Sequence, residues 1–230
     1  MSTYLIVGGS SGIGRALVDQ LLADDRTEVH VWARDRRDLP PTVHFTALDV
    51  TDEEAPLKSA VPESLDGLVY CPGSIDLRPF RSLRPAAFRD AFELNVIGAV
   101  RCLQAAERAL KKSEWASVVL FLTVAVRHGM PFHASVAAAK GAVEGLTLSL
   151  AAEYAPAIRV NAIAPSLTDT PLAEKLLATE EKRAASAQRH PLNRVAPAAE
   201  VAAMAAFLLG SSAGSITGQV IAIDGGIGSI

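Results

Sequence analysis

The chain has 230 residues, and its 22 Lys and Arg against 25 Asp and Glu give a formal net charge of −3 at pH 7. Half of the residues are hydrophobic and a fifth are charged, as in folded globular proteins, and the mild acidity without any Lys/Arg run argues against nucleic acid or an anionic membrane as a partner. With only two cysteines the chain cannot form a disulfide framework. The longest apolar run, residues 201–209, is too short to span a membrane, so we expect a cytoplasmic protein.

The predicted elements alternate between short apolar strands and longer segments of helical period. Strands are predicted at residues 5–7, 28–32, 43–48, 67–70, 117–122, 158–163 and 219–223. Helices are predicted near residues 12–24, 52–60, 85–110, 132–154 and 197–209. Most strands are apolar on both faces, which is typical of a parallel sheet covered by helices on both sides. The alternation predicts an α/β fold, a single-domain doubly wound parallel sheet (Rossmann-like) of about seven strands, with one domain over residues 1–230.

The first predicted strand runs directly into Gly8-Gly9-Ser10-Ser11-Gly12-Ile13-Gly14, after which a predicted helix continues. Glycines let the chain turn tightly and let a pyrophosphate approach the backbone, and a helix N-terminus offers free N–H groups to phosphate. We therefore expect the phosphates of a dinucleotide to bind at Gly8, Ser10, Ser11, Gly12 and Ile13. The spacing differs from the G-x-G-x-x-G of other dinucleotide folds, and a glycine-rich turn without a ligand is the alternative.

Just after the second predicted strand comes Arg34, where the adenosine ribose of a bound dinucleotide would lie. An arginine there suits a 2′-phosphate, so Arg34 favours NADP(H), with NAD(H) as the second candidate cofactor. The alternative is a solvated cluster, because residues 35–38 add two arginines and two aspartates. Residues 33–42 leave little room for a crossover helix before the third strand. Beyond that strand, Asp49 either accepts from an adenine amino group or caps a helix expected near Thr51.

Five motifs in chain order resemble those of the short-chain dehydrogenase/reductase family. They are the glycine loop of residues 7–14, Asp49-Val50-Thr51-Asp52, Asn95-Val96-x-Gly98, Arg159-Val160-Asn161-Ala162-Ile163-Ala164-Pro165, and Thr217-Gly218-Gln219-Val220 through Asp224-Gly225-Gly226. The resemblance covers nearly the whole chain and implies an NAD(P)(H)-dependent oxidoreductase acting on a small molecule. It also implies a homodimer or homotetramer paired through helices 85–110 and 132–154. Further cofactor contacts are implied at Val50, Gly73, Pro165, Thr168 and Thr170.

Catalysis in that family resembles a proton relay, in which a Tyr donates to the carbonyl and a Lys four residues later holds the ribose. A Ser orients the substrate and an Asn anchors water. Residues four apart share one helix face, which explains the spacing of the Tyr and the Lys. In this chain the matching positions are Lys140, Thr123 and Asn95, but Val136 stands where the Tyr is expected. Valine has no proton to donate, so the resemblance leaves the proton donor open.

Three routes could replace the missing tyrosine. His133 lies seven residues before Lys140 and shares its helix face if the helix extends that far, with a loop or cap position as the alternative. Water held by Asn95 and Lys140 is the second route, and a substrate that needs no strong acid, such as an enone, is the third. Ser135 is expected to cap the helix instead of donating. Tyr70 is disfavoured because its segment flanks the adenosine half of the cofactor in the family.

Residues 168–188 follow the sixth predicted strand and resemble the family's mobile lid over the substrate. Three leucines at helical spacing fit either an apolar roof or ordinary packing: Leu172, Leu176 and Leu177. No Cys/His cluster has zinc spacing, so no metal is predicted. We expect an NADP(H)-dependent oxidoreductase that moves a hydride to or from a small carbonyl, alcohol or enone with a non-standard proton donor. The alternative is a weakly active or inactive dinucleotide-binding protein, a sensor or assembly subunit, which Val136 favours and Lys140 disfavours.

Overall fold

The computed structural model describes residues 1–230. Its strands are β1 (Ser2–Val7), β2 (Thr27–Ala33), β3 (His44–Ala47), β4 (Gly67–Tyr70), β5 (Ser117–Phe121), β6 (Arg159–Pro165), β7 (Thr168–Asp169), β8 (Ala196–Pro197) and β9 (Val220–Ile223). Its α-helices are α1 (Gly12–Leu21), α2 (Leu57–Ala60), α3 (Pro85–Phe92), α4 (Gly98–Leu110), α5 (Ala134–Tyr154), α6 (Glu180–Gln188) and α7 (Ala198–Leu209).

Seven of the strands form one parallel sheet in the order β3-β2-β1-β4-β5-β6-β9. The order reverses direction between β1 and β4, and in such sheets ligands bind outside the carboxyl ends of the strands at this switch point. The predicted doubly wound fold is therefore confirmed. The remaining strands, β7 and β8, pair only with each other.

Apolar side chains fill both faces of the sheet, which explains why the strands are apolar on both sides. One core contains Leu103 of α4 and Val143 of α5 packed with Leu5 of β1. The opposite core contains Leu17 of α1 and Leu208 of α7. Burial on both faces fixes the sheet and thereby the positions of the loops at its carboxyl edge.

Two predicted helices differ from the structure. The helix predicted near residues 52–60 shrinks to α2, because Pro56 stands at its N-cap and the Asp52 carboxylate accepts from the Glu54 N–H in a turn instead. The helix predicted over residues 85–110 is interrupted by a π-helical segment, Glu93–Ile97, between α3 and α4. Helix α6, within the segment expected to form a lid, was not among the predicted helices.

The connection between β2 and β3 contains no helix, as its length indicates. Only Leu39 and Val43 of this connection are buried in the core. The residues that precede Leu39 on it are exposed, at the edge where a nucleotide is expected. No helix of the chain is long and apolar enough to cross a membrane.

Candidate functional site

A cavity of about 770 Å³ opens at the carboxyl ends of β1, β2, β4, β5 and β6. This volume lies within the usual range for small-molecule and cofactor sites. Every residue predicted for cofactor or substrate binding lines the cavity except Asn95: Gly8, Ser10, Ser11, Gly12, Ile13, Arg34, Asp49, Val50, Gly73, Thr123, His133, Lys140, Pro165, Thr168 and Thr170. The fold thus brings together side chains that lie more than a hundred residues apart in the sequence.

The glycine loop has the backbone shape that a phosphate site needs. Gly8 and Gly12 have φ values of +77° and +55°, which residues other than glycine rarely adopt. A Cβ added at Gly14 would lie 2.5 Å from the Gly8 carbonyl oxygen, so only glycine lets α1 start this close to β1. Ser11 makes no side-chain cap bond, so its side chain does not partner the first N–H groups of α1, and Gly12, Ile13 and Gly14 at this end of the helix line the cavity.

The arginines after β2 divide into two groups. Arg34 and Arg37 line the cavity and are exposed. Arg36 instead donates to the Pro40 carbonyl at 2.9 Å, and its guanidinium lies 5.8 Å from the centre of the Phe45 ring. Arg34 and Arg37 are therefore available to an anionic group at this end of the cavity, whereas Arg36 is engaged in the β2–β3 connection.

Asp49 forms a local turn after β3. Its Oδ1 accepts from the Thr51 N–H at 2.9 Å and from the Thr51 hydroxyl at 2.7 Å, and these bonds lower the pKa of the carboxyl below its ordinary value. The expected cap bond is present, but no helix begins at Thr51, since α2 starts only at Leu57. Asp49 also lines the cavity, and its Oδ2 has no hydrogen-bond partner within the protein.

Lys140 is a buried cation on α5 that faces the cavity. Its Nζ donates to the Phe121 carbonyl at the end of β5 over 2.7 Å. Burial lowers the pKa of Lys140 to about 8. This hydrogen bond to the backbone directs the ammonium group toward Gly73, where an added Cβ would lie 3.6 Å from Nζ.

Asn95 lies behind Gly73 instead of lining the cavity, with 1% of its surface exposed. Its Nδ2 donates to the Ala91 carbonyl at 2.7 Å, while its Oδ1 is buried without a partner. A Cβ added at Gly73 would lie 3.5 Å from Oδ1, so Asn95 and Lys140 approach the same glycine. A buried acceptor without a partner is costly, and a ligand or water that donates to Oδ1 would remove that cost.

The π-helical segment is the element that directs Asn95 inward. Short π-helical bulges inside α-helices often occur at functional sites, because they leave backbone groups unpaired and rotate side chains. Tyr70 of β4 donates its hydroxyl to the Leu94 carbonyl within this segment at 2.6 Å. Tyr70 is buried, desolvation raises its pKa, and it does not line the cavity. These contacts give Tyr70 a packing position and support the expectation that it is not a proton donor.

The residues around the missing tyrosine occupy three different environments. Val136 is buried on α5, four residues before Lys140, and lines the cavity. Thr123 lines it too, and its hydroxyl accepts from the Ala125 N–H at 3.3 Å. The expectation that Ser135 caps α5 is wrong, because its hydroxyl is buried without any hydrogen-bond partner.

His133 occupies the N-cap position of α5, immediately before the first helical residue. The helix does not extend back to it, so the cap position anticipated as the alternative is the one observed. Its Nδ1 lies 2.7 Å from the Pro131 carbonyl, and since a carbonyl only accepts, Nδ1 carries the proton. Nε2 has no partner within the protein, and the residue lines the cavity.

A second imidazole in the cavity wall, His190, was missed by the sequence analysis. Its Nδ1 donates to the Ser186 carbonyl at 2.8 Å, so Nε2 is the acceptor for the Ser166 hydroxyl at 2.9 Å. Ser166 follows Pro165, where the family that this sequence resembles usually has a glycine, and this departure is the one signal that the sequence offered. His190 follows α6 by two residues, and nothing in the local pattern connects it to β6.

The segment expected to act as a lid contains a 3₁₀ helix, Pro171–Leu176, as well as α6. Leu172 and Leu176 line the cavity, which places two of the three predicted leucines on its wall. Leu177 is buried and does not line it. Both leucines therefore belong to the same lining as Lys140 and Val136.

Comparisons with known proteins extend over nearly the whole chain. A family model described as Enoyl-(Acyl carrier protein) reductase matches residues 8–228. The chain is 35% identical over 238 residues to cis-4-hydroxycyclohexanecarboxylate dehydrogenase from Sinomonas cyclohexanicum, covering 96% of this chain and 94% of that protein. Its structure is similar to a short chain dehydrogenase family protein from Francisella tularensis subsp. tularensis SCHU S4, with a TM-score of 0.94, 27% identity and 100% of each chain covered. It is also similar to ElxO with NADP bound, with a TM-score of 0.90, 26% identity, and 100% of this chain and 99% of that chain covered.

Proposed function

Because the chain belongs to the short-chain dehydrogenase/reductase family of oxidoreductases, we propose that it transfers a hydride between NADP(H) and a small carbonyl, alcohol or enone. The observation that carries the proposal is that the glycine loop and the buried Lys140 line the same cavity. The similarity to a named dehydrogenase does not favour an inactive binding protein. The name of that relative makes cyclic alcohols and ketones the first substrates to screen.

The residues that line the cavity suit a nicotinamide dinucleotide. The N–H groups at the start of α1 would hold the pyrophosphate, with Gly14 permitting the close approach. Lys140 would donate to the ribose next to the nicotinamide. The cofactor itself supplies the hydride, and the protein positions it and the substrate. Leu172 and Leu176, in the proposed lid of residues 168–188, would exclude water from the reacting atoms.

The preference for NADP(H) follows from the exposed arginines at the adenosine end. Arg34 and Arg37 present guanidinium groups to the cavity, and a guanidinium can bind a phosphate through two parallel hydrogen bonds. Asp35 also lines this end of the cavity, and a carboxylate there would favour NAD(H), whose adenosine ribose carries a free 2′-OH. Two arginines against one carboxylate favour the 2′-phosphate of NADP(H).

Fluorescence titration of the purified protein with NADPH and NADH tests the cofactor assignment. We expect NADPH to bind more tightly, and Arg34→Ala to raise the Kd for NADPH by about 10- to 100-fold, since a hydrogen bond to a charged group contributes about 1.5–3 kcal/mol. Arg36→Ala is the matched control, because Arg36 is engaged by Pro40 and Phe45. Equal binding of the two cofactors would overturn the preference, and binding of neither would overturn the proposed function.

The proton in the proposed reaction comes from a group other than residue 136. His133 is our candidate donor, because the residue lines the cavity and its Nε2 has no protein partner, while Nδ1 donates to the Pro131 carbonyl. Water between Asn95 and Lys140 is the second route, supported by the unpartnered Asn95 Oδ1. A substrate reduced at carbon would need neither route.

We further propose that the protein is a cytoplasmic homodimer or homotetramer made of one domain per chain. The support for self-association is the outer face of α5, where five of the six exposed residues are small or apolar and Glu153 is the exception. Its exposed positions include Ala138, Gly145, Leu148, Ser149 and Ala152. Such a face allows two helices to approach closely.

A further inference from the structure

Strand pairing places three metal-ligating side chains together at an edge of the sheet. In the parallel register of β2 and β3, His30 pairs with His44, so the two imidazoles lie on the same face. Glu28 precedes His30 by two residues on β2 and therefore shares that face. The two histidines are 14 positions apart in the sequence, which does not resemble a zinc spacing, and only the register shows that they meet.

The donor atoms converge at distances that suit one small cation. Nε2 of His30 lies 2.9 Å and Nε2 of His44 lies 3.3 Å from the same Oε1 of Glu28. All three atoms lie within 4.8 Å of one another. Two ligand atoms of a tetrahedral zinc ion, each about 2.0–2.1 Å from the metal, lie about 3.3 Å apart. Small side-chain rotations are therefore enough to surround a metal ion.

The rings and charges around these atoms are also compatible with a metal. The two imidazoles are stacked, with ring centres 4.7 Å apart and planes inclined by 17°, and both Nε2 atoms approach the same oxygen of Glu28. No Lys or Arg forms an ion pair with Glu28, so a metal would not have to displace a cation. His44 has a side chain that is 59% exposed, which leaves an open path and a coordination position for water.

We propose that Glu28, His30 and His44 bind a divalent transition-metal ion, with zinc the first candidate. Two imidazoles and one carboxylate form a donor set that zinc, cobalt and nickel favour over magnesium or calcium, which prefer oxygen ligands. The set has three protein ligands and an exposed fourth position. It lies on the amino-terminal part of β2 and at the start of β3, whereas the cavity lies at the carboxyl ends, so it is distinct from the cofactor site.

The metal would join the two ends of the helix-free β2–β3 connection. His30 precedes this connection and His44 follows it, and β3 is an edge strand of only four residues. A ligand that binds only the folded state stabilises it by mass action. The structural role of this site is therefore to hold the edge strand on the sheet, and it does not depend on the proposed function.

Isothermal titration calorimetry of the tag-free, chelator-treated protein with ZnCl2 tests the proposal, and Tm is measured with and without zinc. We expect one zinc ion per chain, an increase in Tm, and visible absorption bands of tetrahedral cobalt when CoCl2 replaces zinc. His44→Ala is expected to raise the Kd for zinc at least about tenfold, because loss of even an outer-shell partner of a metal ligand costs about 10- to 100-fold in affinity. MgCl2 is expected to give no binding heat.

Controls separate this site from other histidines and from misfolding. His128→Ala, at an exposed histidine outside the cluster, is expected to leave zinc binding unchanged. Glu28→Gln keeps the size of the side chain while removing its charge, and is expected to weaken zinc binding in a chain whose circular dichroism spectrum is unchanged. Absence of zinc binding to the wild type, or equal binding by His44→Ala and the wild type, would overturn the proposal.

Discussion

Lys140 is a cation that the fold holds away from water. Burial lowers its pKa to about 8, and one backbone carbonyl, that of Phe121, is its protein acceptor. An ammonium group with two unused N–H donors and a high desolvation cost gains more from a ligand hydroxyl than an exposed lysine does. The residue therefore reduces the stability of the ligand-free protein and increases its affinity for a ligand that supplies acceptors.

We predict that the affinity for NADPH declines as the pH rises through about 8, because Lys140 loses its proton there. Lys140→Met is expected to raise the Kd for NADPH at pH 7 by about 10- to 100-fold and to remove this decline. Fluorescence titrations at several pH values measure both effects. An unchanged pH dependence in the variant would contradict the assignment.

Lys140→Met is expected to weaken NADPH binding but to stabilise the ligand-free protein at neutral pH. The folded-state pKa of Lys140 is below its value of 10.5 in the unfolded chain, so between pH 8 and 10.5 the unfolded chain binds more protons. In that window the stability of the wild type therefore rises with pH relative to Lys140→Met, and below pH 8 the variant is the more stable protein. Urea unfolding at pH 7 and pH 10 measures the difference.

Val136 lies four residues before Lys140 on α5, and it lines the cavity. We predict that Val136→Tyr raises carbonyl reduction at least about tenfold, because a positioned acid typically contributes 10²–10⁴-fold. Steady-state rates with NADPH measure the gain. Val136→Phe is the control, since it adds the ring without the hydroxyl.

Substitution of His133 in both backgrounds separates the proton routes. His133→Gln is expected to slow the wild type and to have little effect on Val136→Tyr, which has its own donor. If His133→Gln leaves the wild type unaffected, protonation by water or reduction at carbon becomes the mechanism. If Val136→Tyr brings no gain, the cavity does not present residue 136 to the substrate carbonyl.

At the scale of elements, the π-helical segment and β4 depend on each other. Tyr70 donates to the Leu94 carbonyl, and Gly98 at the start of α4 leaves the space for the Tyr70 ring, because a Cβ at Gly98 would collide with the tyrosine hydroxyl. Sequence reasoning placed a continuous helix here, since the apolar period continues through the segment. A π-helix has about one more residue per turn than an α-helix. The contact with Tyr70 of β4 accompanies this wider turn, and the apolar period of a sequence carries no information about such a contact.

We predict that Gly98→Ala lowers the free energy of unfolding by about 1–3 kcal/mol through overpacking against Tyr70. In a Tyr70→Phe background the same substitution is expected to cost less, because the hydroxyl that collides is gone. Urea unfolding of the four proteins forms a double-mutant cycle that gives the coupling. Additive effects would show that Tyr70 and Gly98 do not share this contact.

At the scale of the whole molecule, the sequence predicted all seven strands of the main sheet and a part of the residues that line its cavity. The doubly wound parallel class followed because parallel strands need crossovers, and the glycine loop indicated the end of the sheet where a ligand is expected, whereas the order of the strands came from the structure. His190 was not predicted, because its partner Ser166 lies on another element. The contact between His30 and His44 was missed for a similar reason, since it depends on strand register.

The exposed small-residue face of α5 predicts self-association. Leu148 has 51% of its surface exposed in the single chain, in the middle of this face. We expect light scattering coupled to gel filtration to give a dimer or tetramer, and Leu148→Glu to shift the mass toward the monomer, because a buried unpaired carboxylate is costly. Leu192→Glu, at an exposed leucine outside the helices, is the matched control. A monomeric wild type would contradict the prediction.

The helix-free connection between β2 and β3 also affects how this protein can change during evolution. Three of its exposed residues, Arg34, Asp35 and Arg37, line the cavity, while the core relies only on Leu39 and Val43 of the connection. Substitutions at those exposed positions alter the groups offered to a cofactor without removing any buried side chain. Under the proposed function, coenzyme choice and fold stability are therefore assigned to different residues of one short segment. A redesign toward NADH can start from Arg34 and Arg37 without repacking a helix.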